Sequence, residues 1–208
     1  MKKVAYTVAL IGMMAFLILL VMFEKMQAVD VRAAEILYEN PVLQFFHSYG
    51  TYVIIAALVA TIVCLLVKKN YRFLVIVLLT IGGTIAINQL AKNLIGRTRP
   101  ETAGDLTNYS FPSGHTMISL AIVTLFAYVM PLYVKTRGAK IAIWVVAIIL
   151  AVVIGLSRVA VGHHYLTDVL AGWALASSWV VLVIYWFEKK YGLKKKHAFS
   201  HINPYPYA

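Results

Sequence analysis

Long uncharged apolar runs dominate this chain. Four carry no charge at all: residues 4–23, 49–67, 73–91 and 116–134. Two more, 141–161 and 166–187, are as apolar and hold one charge each, Arg158 and Asp168. Each run approaches the ~20 residues that carry a helix across a bilayer. The pattern therefore predicts an all-α, polytopic membrane protein with six transmembrane helices. The first run follows Lys2 and Lys3, as in a signal peptide. It is longer than an h-region of roughly 7–15 residues, however, and no A-x-A site follows it, so it reads as a retained helix. Residues 26–46 mix apolar and charged positions around Pro41 and suit a helix lying along the outer surface. Small residues four apart (Gly82/Ala86, Ala151/Gly155, Gly172/Ala176) suit close helix contacts, although Gly and Ala are common in such helices anyway. No internal repeat is visible.

Composition narrows the class. Of 208 residues, 62% are hydrophobic and 13% charged, against about 25% charged in soluble domains. An ordinary soluble enzyme, a disordered chain and a nucleic-acid-binding tail protein are excluded. The single cysteine, Cys64, lies in an apolar run and allows no intrachain disulfide. The net charge of +11 speaks of topology and anionic lipid rather than nucleic acid. One side of the six-span arrangement holds Lys2, Lys3, the 68–72 and 135–140 loops and the 188–196 segment, with Glu188 as its one acid. The other side holds six basic residues and seven acids. The positive-inside rule then puts both termini in the cytoplasm, and loops 24–48, 92–115 and 158–165 outside. Residues 1–187 form the transmembrane domain. Residues 188–208 form a basic cytoplasmic tail, expected to be disordered and held near the inner leaflet by its lysines.

The candidate chemistry lies on the outward side. Arg158 and Asp168 are costly in an apolar span and call for a polar cavity or for each other; a bare ion pair between helices is the simplest account. His164 precedes Asp168 by four residues, which places both on one face of a helix. A carboxylate on Nδ1–H fixes the tautomer and leaves Nε2 as a nucleophilic lone pair. Alone, such a pair is more often a surface hydrogen bond. Pro112-Ser113-Gly114-His115 precedes the fourth span. Ser113 suits a helix N-cap, Gly114 admits a ligand to the backbone, and the helix N-terminus favours phosphate. Lys92, Arg97 and Arg99 crowd three cations into eight residues on the side that should be poor in them. A compact anion accounts for that excess; contact with anionic headgroups is the plainer alternative. With two histidines available, one can attack phosphorus and the other protonate the leaving oxygen.

Lys92-x6-Arg99-Pro100, Pro112-Ser113-Gly114-His115 and Ser157-Arg158-x5-His164-x3-Asp168 resemble, in order and spacing, the three-part signature of the type 2 phosphatidic acid phosphatase/haloperoxidase superfamily, in its bacterial membrane lipid phosphatase branch. The resemblance implies His164 as the nucleophile of a phosphohistidine, oriented by Asp168, and His115 as general acid. Lys92, Arg99, Ser113, Gly114 and Arg158 would hold the phosphate. It implies no metal and no cofactor. His163 beside the nucleophile, and Leu166 where proline is common, are less typical, and the five-residue spacing from Arg158 favours His164 over His163. Asn93 and Arg97 receive no role.

The implied function is hydrolysis of a lipid phosphate or diphosphate at the outer face of the cell membrane. Phosphatidylglycerophosphate, phosphatidate and undecaprenyl diphosphate are the candidate substrates. A lipid transporter or flippase using Arg158 and Asp168, and a vanadate-dependent haloperoxidase, are the competing classes. Neither a flippase's need for intramembrane charge nor a haloperoxidase's need for vanadate accounts for both the spacing and the six spans.

Overall fold

A computed structural model describes residues 2–104 and 106–191. The chain forms α1 (Lys2–Met22), a 3-10 turn (Phe23–Met26), α2 (Gln27–Leu37), α3 (Pro41–Val67), α4 (Tyr71–Ile95), a short 3-10 turn (Glu101–Ala103), α5 (Gly114–Val129), α6 (Arg137–Ala160) and α7 (Leu166–Tyr191). Six helical segments are long and apolar enough to cross a membrane. This is the multi-pass, all-helical architecture read from the apolar runs. The expected tail at 188–208 lies mostly outside the described residues.

The helices extend beyond their apolar runs where local chemistry allows. α3 starts at Pro41, not at residue 49. Asn40 accepts from the N–H groups of Val42 and Leu43, and Pro41 needs no amide partner in the first turn. Residues 41–46 thus belong to a helix long enough to span, and the short helix α2, on the stretch expected to lie along the surface, ends at Leu37. α4 runs four residues past its uncharged stretch, so Lys92 stands on its last turn until Gly96, at φ +68°, ends it. Lys92 therefore joins Arg158 and Asp168 as a charge on a membrane helix.

α5 is the central helix and touches α3, α4, α6 and α7; α1 packs along α7. One core cluster joins Phe73, Ile76, Leu125, Val129 and Phe187 at the end away from the motifs. A second joins Phe16, Phe111, Met117, Leu175 and Ala176 directly beneath them. The close approaches fall partly where small residues were expected. A side chain at Gly155 would collide with the Trp173 ring, and one at Gly172 would press on Ser113 and Thr116. Gly82, by contrast, faces open space; its neighbour Gly83 receives the Trp179 ring.

Candidate active site

The three outer loops of the sequence reading converge at one end of the bundle, and backbone contacts interlock them. The Ser113 N–H donates to the Asp168 carbonyl (3.0 Å), and the N–H groups of His163 and His164 donate to the Arg158 carbonyl at the end of α6 (3.1 and 3.2 Å). Asn88 of α4 donates to the Pro112 carbonyl at 3.0 Å and so seats the Pro-Ser-Gly-His turn. Its Oδ1 lies 2.8 Å from where a Cβ on Gly114 would sit, so a larger residue there would have to displace the Asn88 side chain. Lys92 Nζ donates to the Tyr109 carbonyl.

His164 and Asp168 meet, but not on one continuous helix. α7 begins at Leu166, so His164 stands in the preceding turn and Asp168 in the first helical turn. His164 Nδ1 is 3.3 Å from Asp168 Oδ2. Its Nε2 is 3.2 Å from Arg99 Nη1. A guanidinium can only donate, so Nε2 is the acceptor and Nδ1 carries the proton given to Asp168. Burial depresses the His164 pKa from its ordinary 6.5 to about 4, against the opposing pull of Asp168. Its Nε2 lone pair is thus free of protons at neutral pH.

His163 is of the opposite tautomer. Its Nδ1 lies 2.9 Å from Arg158 Nη2, so the proton must be on Nε2 and neither nitrogen is a free nucleophile. Burial and the Arg158 charge hold its pKa at about 4.

Cations line the floor. Lys92 and Arg158 are buried, and the Arg158 Nε–H has no partner among the described residues. Arg99 bridges the loops: Nη1 donates to the His163 carbonyl at 2.7 Å, and Nη2 to Asn108 Oδ1 at 2.6 Å. Burial lowers the pKa of Arg99, partly offset by Asp168. His115 is exposed at the mouth, one residue into α5. Ser113 occupies the N-cap of α5 but makes no side-chain cap bond; its Oγ instead accepts from Thr116 Oγ1 at 2.9 Å. The expected cap is therefore absent. The first-turn N–H groups of α5 are left for an anion.

Two features escaped the sequence reading. His47 of α3 reaches Arg158 Nη1 at 2.7 Å. Behind Asp168 lies a buried network centred on Arg97. Its Nη1 donates to Asp168 Oδ1 (2.6 Å) and Thr167 Oγ1 (2.7 Å), and its Nη2 to Asp30 Oδ2 (2.9 Å). Asp30 of α2 also accepts from the Thr167 N–H (2.8 Å). The guanidinium is sandwiched between the Phe23 and Tyr165 rings, 4.6 and 4.0 Å from their centres. The available signals were Asp30, an acid set between Val29 and Val31, and Arg97, one of the three cations of residues 92–99. Among the described residues, no group of three His, Cys, Asp or Glu side chains is placed to hold a metal; Asp105 lies outside those residues.

A helical bundle with six segments long enough to span a membrane, which gathers Lys92, Arg99, Arg158 and several imidazoles at one end, defines a polytopic membrane protein with a cationic cluster able to attract an anion. Residues 73–191 match the family model for the PAP2 superfamily. The chain belongs to that superfamily. It is 34% identical over 103 residues to a phosphatidylglycerophosphatase B of Bacillus subtilis; the match covers 48% of this chain and about half of that relative (51%). It is 30% identical to an undecaprenyl-diphosphatase of Sulfolobus acidocaldarius, over 75% of this chain and 74% of the relative. The crystal structure of a transmembrane PAP2 type phosphatidylglycerolphosphate phosphatase from Bacillus subtilis superposes with a TM-score of 0.73 at 25% identity, covering 90% of this chain and 98% of that one.

Proposed function

We propose that the protein is an integral membrane lipid phosphatase that removes a phosphate from a lipid monoester or diphosphate through a phosphohistidine at His164. The observation that carries this reading is the pairing of tautomer and charge. His164 presents a bare Nε2 beneath Arg99, with Asp168 behind the ring and Lys92 and Arg158 on the same floor. The relatives named above support the same class, and none of them is a transporter or a haloperoxidase by name.

In this mechanism an entering phosphoryl group takes the Arg99 N–H groups onto its own oxygens and exposes Nε2. Lys92, Arg158, the Ser113 hydroxyl and the Gly114 N–H neutralise the charge that builds on the equatorial oxygens. Nε2 attacks phosphorus and the P–O bond to the lipid breaks. His115 gives its proton to the departing oxygen, then accepts one from the water that hydrolyses the N–P bond. Asp168 stabilises the imidazolium. No step needs a metal or cofactor.

The test is phosphate release by purified protein in detergent containing EDTA, over phosphatidylglycerophosphate, phosphatidate, undecaprenyl diphosphate and a water-soluble ester. Turnover of the lipids well above the soluble ester is expected, since the bilayer anchor concentrates and orients the headgroup. Loss on chelation with recovery by Mg²⁺ or Zn²⁺ would overturn the metal-free mechanism.

The same reading places catalysis on the extracytoplasmic side of the cell membrane, with both termini inside, on the strength of the charge asymmetry. In a Cys64→Ser background, Thr107→Cys, on an exposed position of the loop before α5, is expected to react with an impermeant thiol reagent on intact cells. Thr136→Cys, exposed between α5 and α6, is expected to react only after permeabilisation. The reverse pattern would put the site in the cytoplasm.

A further inference from the structure

Arg158 is gripped by two imidazoles from different parts of the chain, His47 on α3 and His163 on the 161–165 turn. Nη1 meets His47 Nδ1 at 2.7 Å and Nη2 meets His163 Nδ1 at 2.9 Å. The two rings stand edge to face, 5.2 Å between centres. Because the guanidinium only donates, both Nδ1 atoms are lone pairs and both rings carry their proton on Nε2. Those two Nε2–H donors have no acceptor among the described residues. The Arg158 Nε–H is also without a partner among the described residues, on a residue only 6% exposed. The unmade hydrogen bond of the buried Arg158 Nε–H is costly and points to an absent acceptor, and the two half-buried imidazole donors remain free to meet a second.

Depth says which acceptor. His164, Lys92 and Arg158 are buried, whereas His47 and His163 are half-buried and His115 is exposed. A phosphorus attacked by His164 therefore sits on the floor, and whatever is bonded to it leaves past the three imidazoles at the mouth.

We propose that His47 and His163, seated on Arg158, form a subsite for a second phosphate, adjoining the one attacked by His164, and that it selects lipid diphosphates over lipid monoesters. The proposal rests on the phosphatase reading above. In a diphosphate, the atom beyond the bridging oxygen is a phosphorus whose two non-bridging oxygens accept from the Nε2–H donors. In a monoester that atom is a carbon, which accepts nothing and leaves the donors covered and unpaired. As the N–P bond forms at His164 and the bridging P–O bond breaks, the electron pair passes to the departing lipid monophosphate. The same donors then face its growing charge, and His115 supplies the proton to the bridging oxygen.

The full-length protein in detergent is titrated calorimetrically with inorganic phosphate and with methylenediphosphonate, which cannot be hydrolysed. Wild type is expected to bind the diphosphonate more tightly. In His47→Leu and His163→Leu the ratio of the two affinities should fall by about tenfold, the scale of one hydrogen bond to a charged group. His47→Gln, which keeps an acceptor for Arg158 and an N–H donor, should restore it. Thermal unfolding checks each variant, and His47→Asn, too short for both contacts, substitutes for a leucine variant that does not fold. A ratio unchanged in folded variants, or phosphate affinity falling in step with diphosphonate affinity, would show that the histidines merely hold Arg158. In parallel, kcat/KM is measured for farnesyl diphosphate and farnesyl phosphate, and the same ratio should fall. If wild type turns over neither lipid, the phosphatase reading fails, while the affinity ratio still decides the subsite.

Discussion

His164→Ala is expected to abolish turnover, on the order of 10⁶-fold, as removal of a covalent nucleophile does elsewhere. The fold should survive, because among the described residues the imidazole makes only two side-chain hydrogen bonds, with Asp168 and Arg99. Asp168→Asn should lose roughly 10⁴-fold but retain activity, since an amide can still face the ring while no longer stabilising its charge. The pH profile separates the two roles. With its pKa held at about 4 by burial, His164 is unprotonated across the neutral range. The acid limb it imposes on kcat/KM should lie near pH 4 rather than at the ordinary 6.5. The linked stability has a definite sign: the native ring binds fewer protons than the unfolded one between those values, so stability is lost as pH falls from about 6.5 towards 4. Wild-type-like turnover of His164→Ala in steady-state phosphate release would end the covalent mechanism.

The second large effect concerns His115. His115→Ala should slow cleavage by ~10²–10⁴-fold, the usual contribution of a general acid. The loss should shrink for a leaving group that is already acidic, such as a nitrophenol, because its oxygen departs without a proton. His115 suits this role by position: it is exposed at the mouth, above the buried floor where phosphorus is attacked. Its side chain makes no hydrogen bond among the described residues, so its removal should leave the fold undisturbed. Equal losses for good and poor leaving groups, measured across a series of aryl esters, would rule out proton donation.

Much of this was legible in the sequence, for physical reasons. Apolar runs announce spans because lipid tolerates little else. The three motifs announce chemistry only jointly, because a cation cluster or a His–Asp pair alone has plainer uses, whereas all three in this order and spacing do not. Helix ends were less legible, since capping at Asn40–Pro41 and at Gly96 lets helices outrun their apolar stretch. Least legible were His47, Asp30 and the role of Arg97. Their partners lie 111, 137 and 71 residues away, and only the folded chain brings such positions together. The Ser113 cap failed for a local reason: Thr116, three residues on, offers its own hydroxyl to the same oxygen.

The Asp30 contact bears on where a working unit can be cut. The family match begins at residue 73, and a fragment starting there would keep all three motifs. It would nevertheless lack Asp30 and Phe23, leaving the buried Arg97 with Asp168 as its one remaining anion and an open face where an aromatic ring had been. It would lack His47 as well, and with it half the grip on Arg158. Breaking a buried charge pair on one side is commonly worth ~3–5 kcal/mol, a large share of a protein's total stability. The smallest autonomous form of this enzyme is therefore not the stretch that carries its signature. It must include α2 and the beginning of α3, which carry none of the motifs.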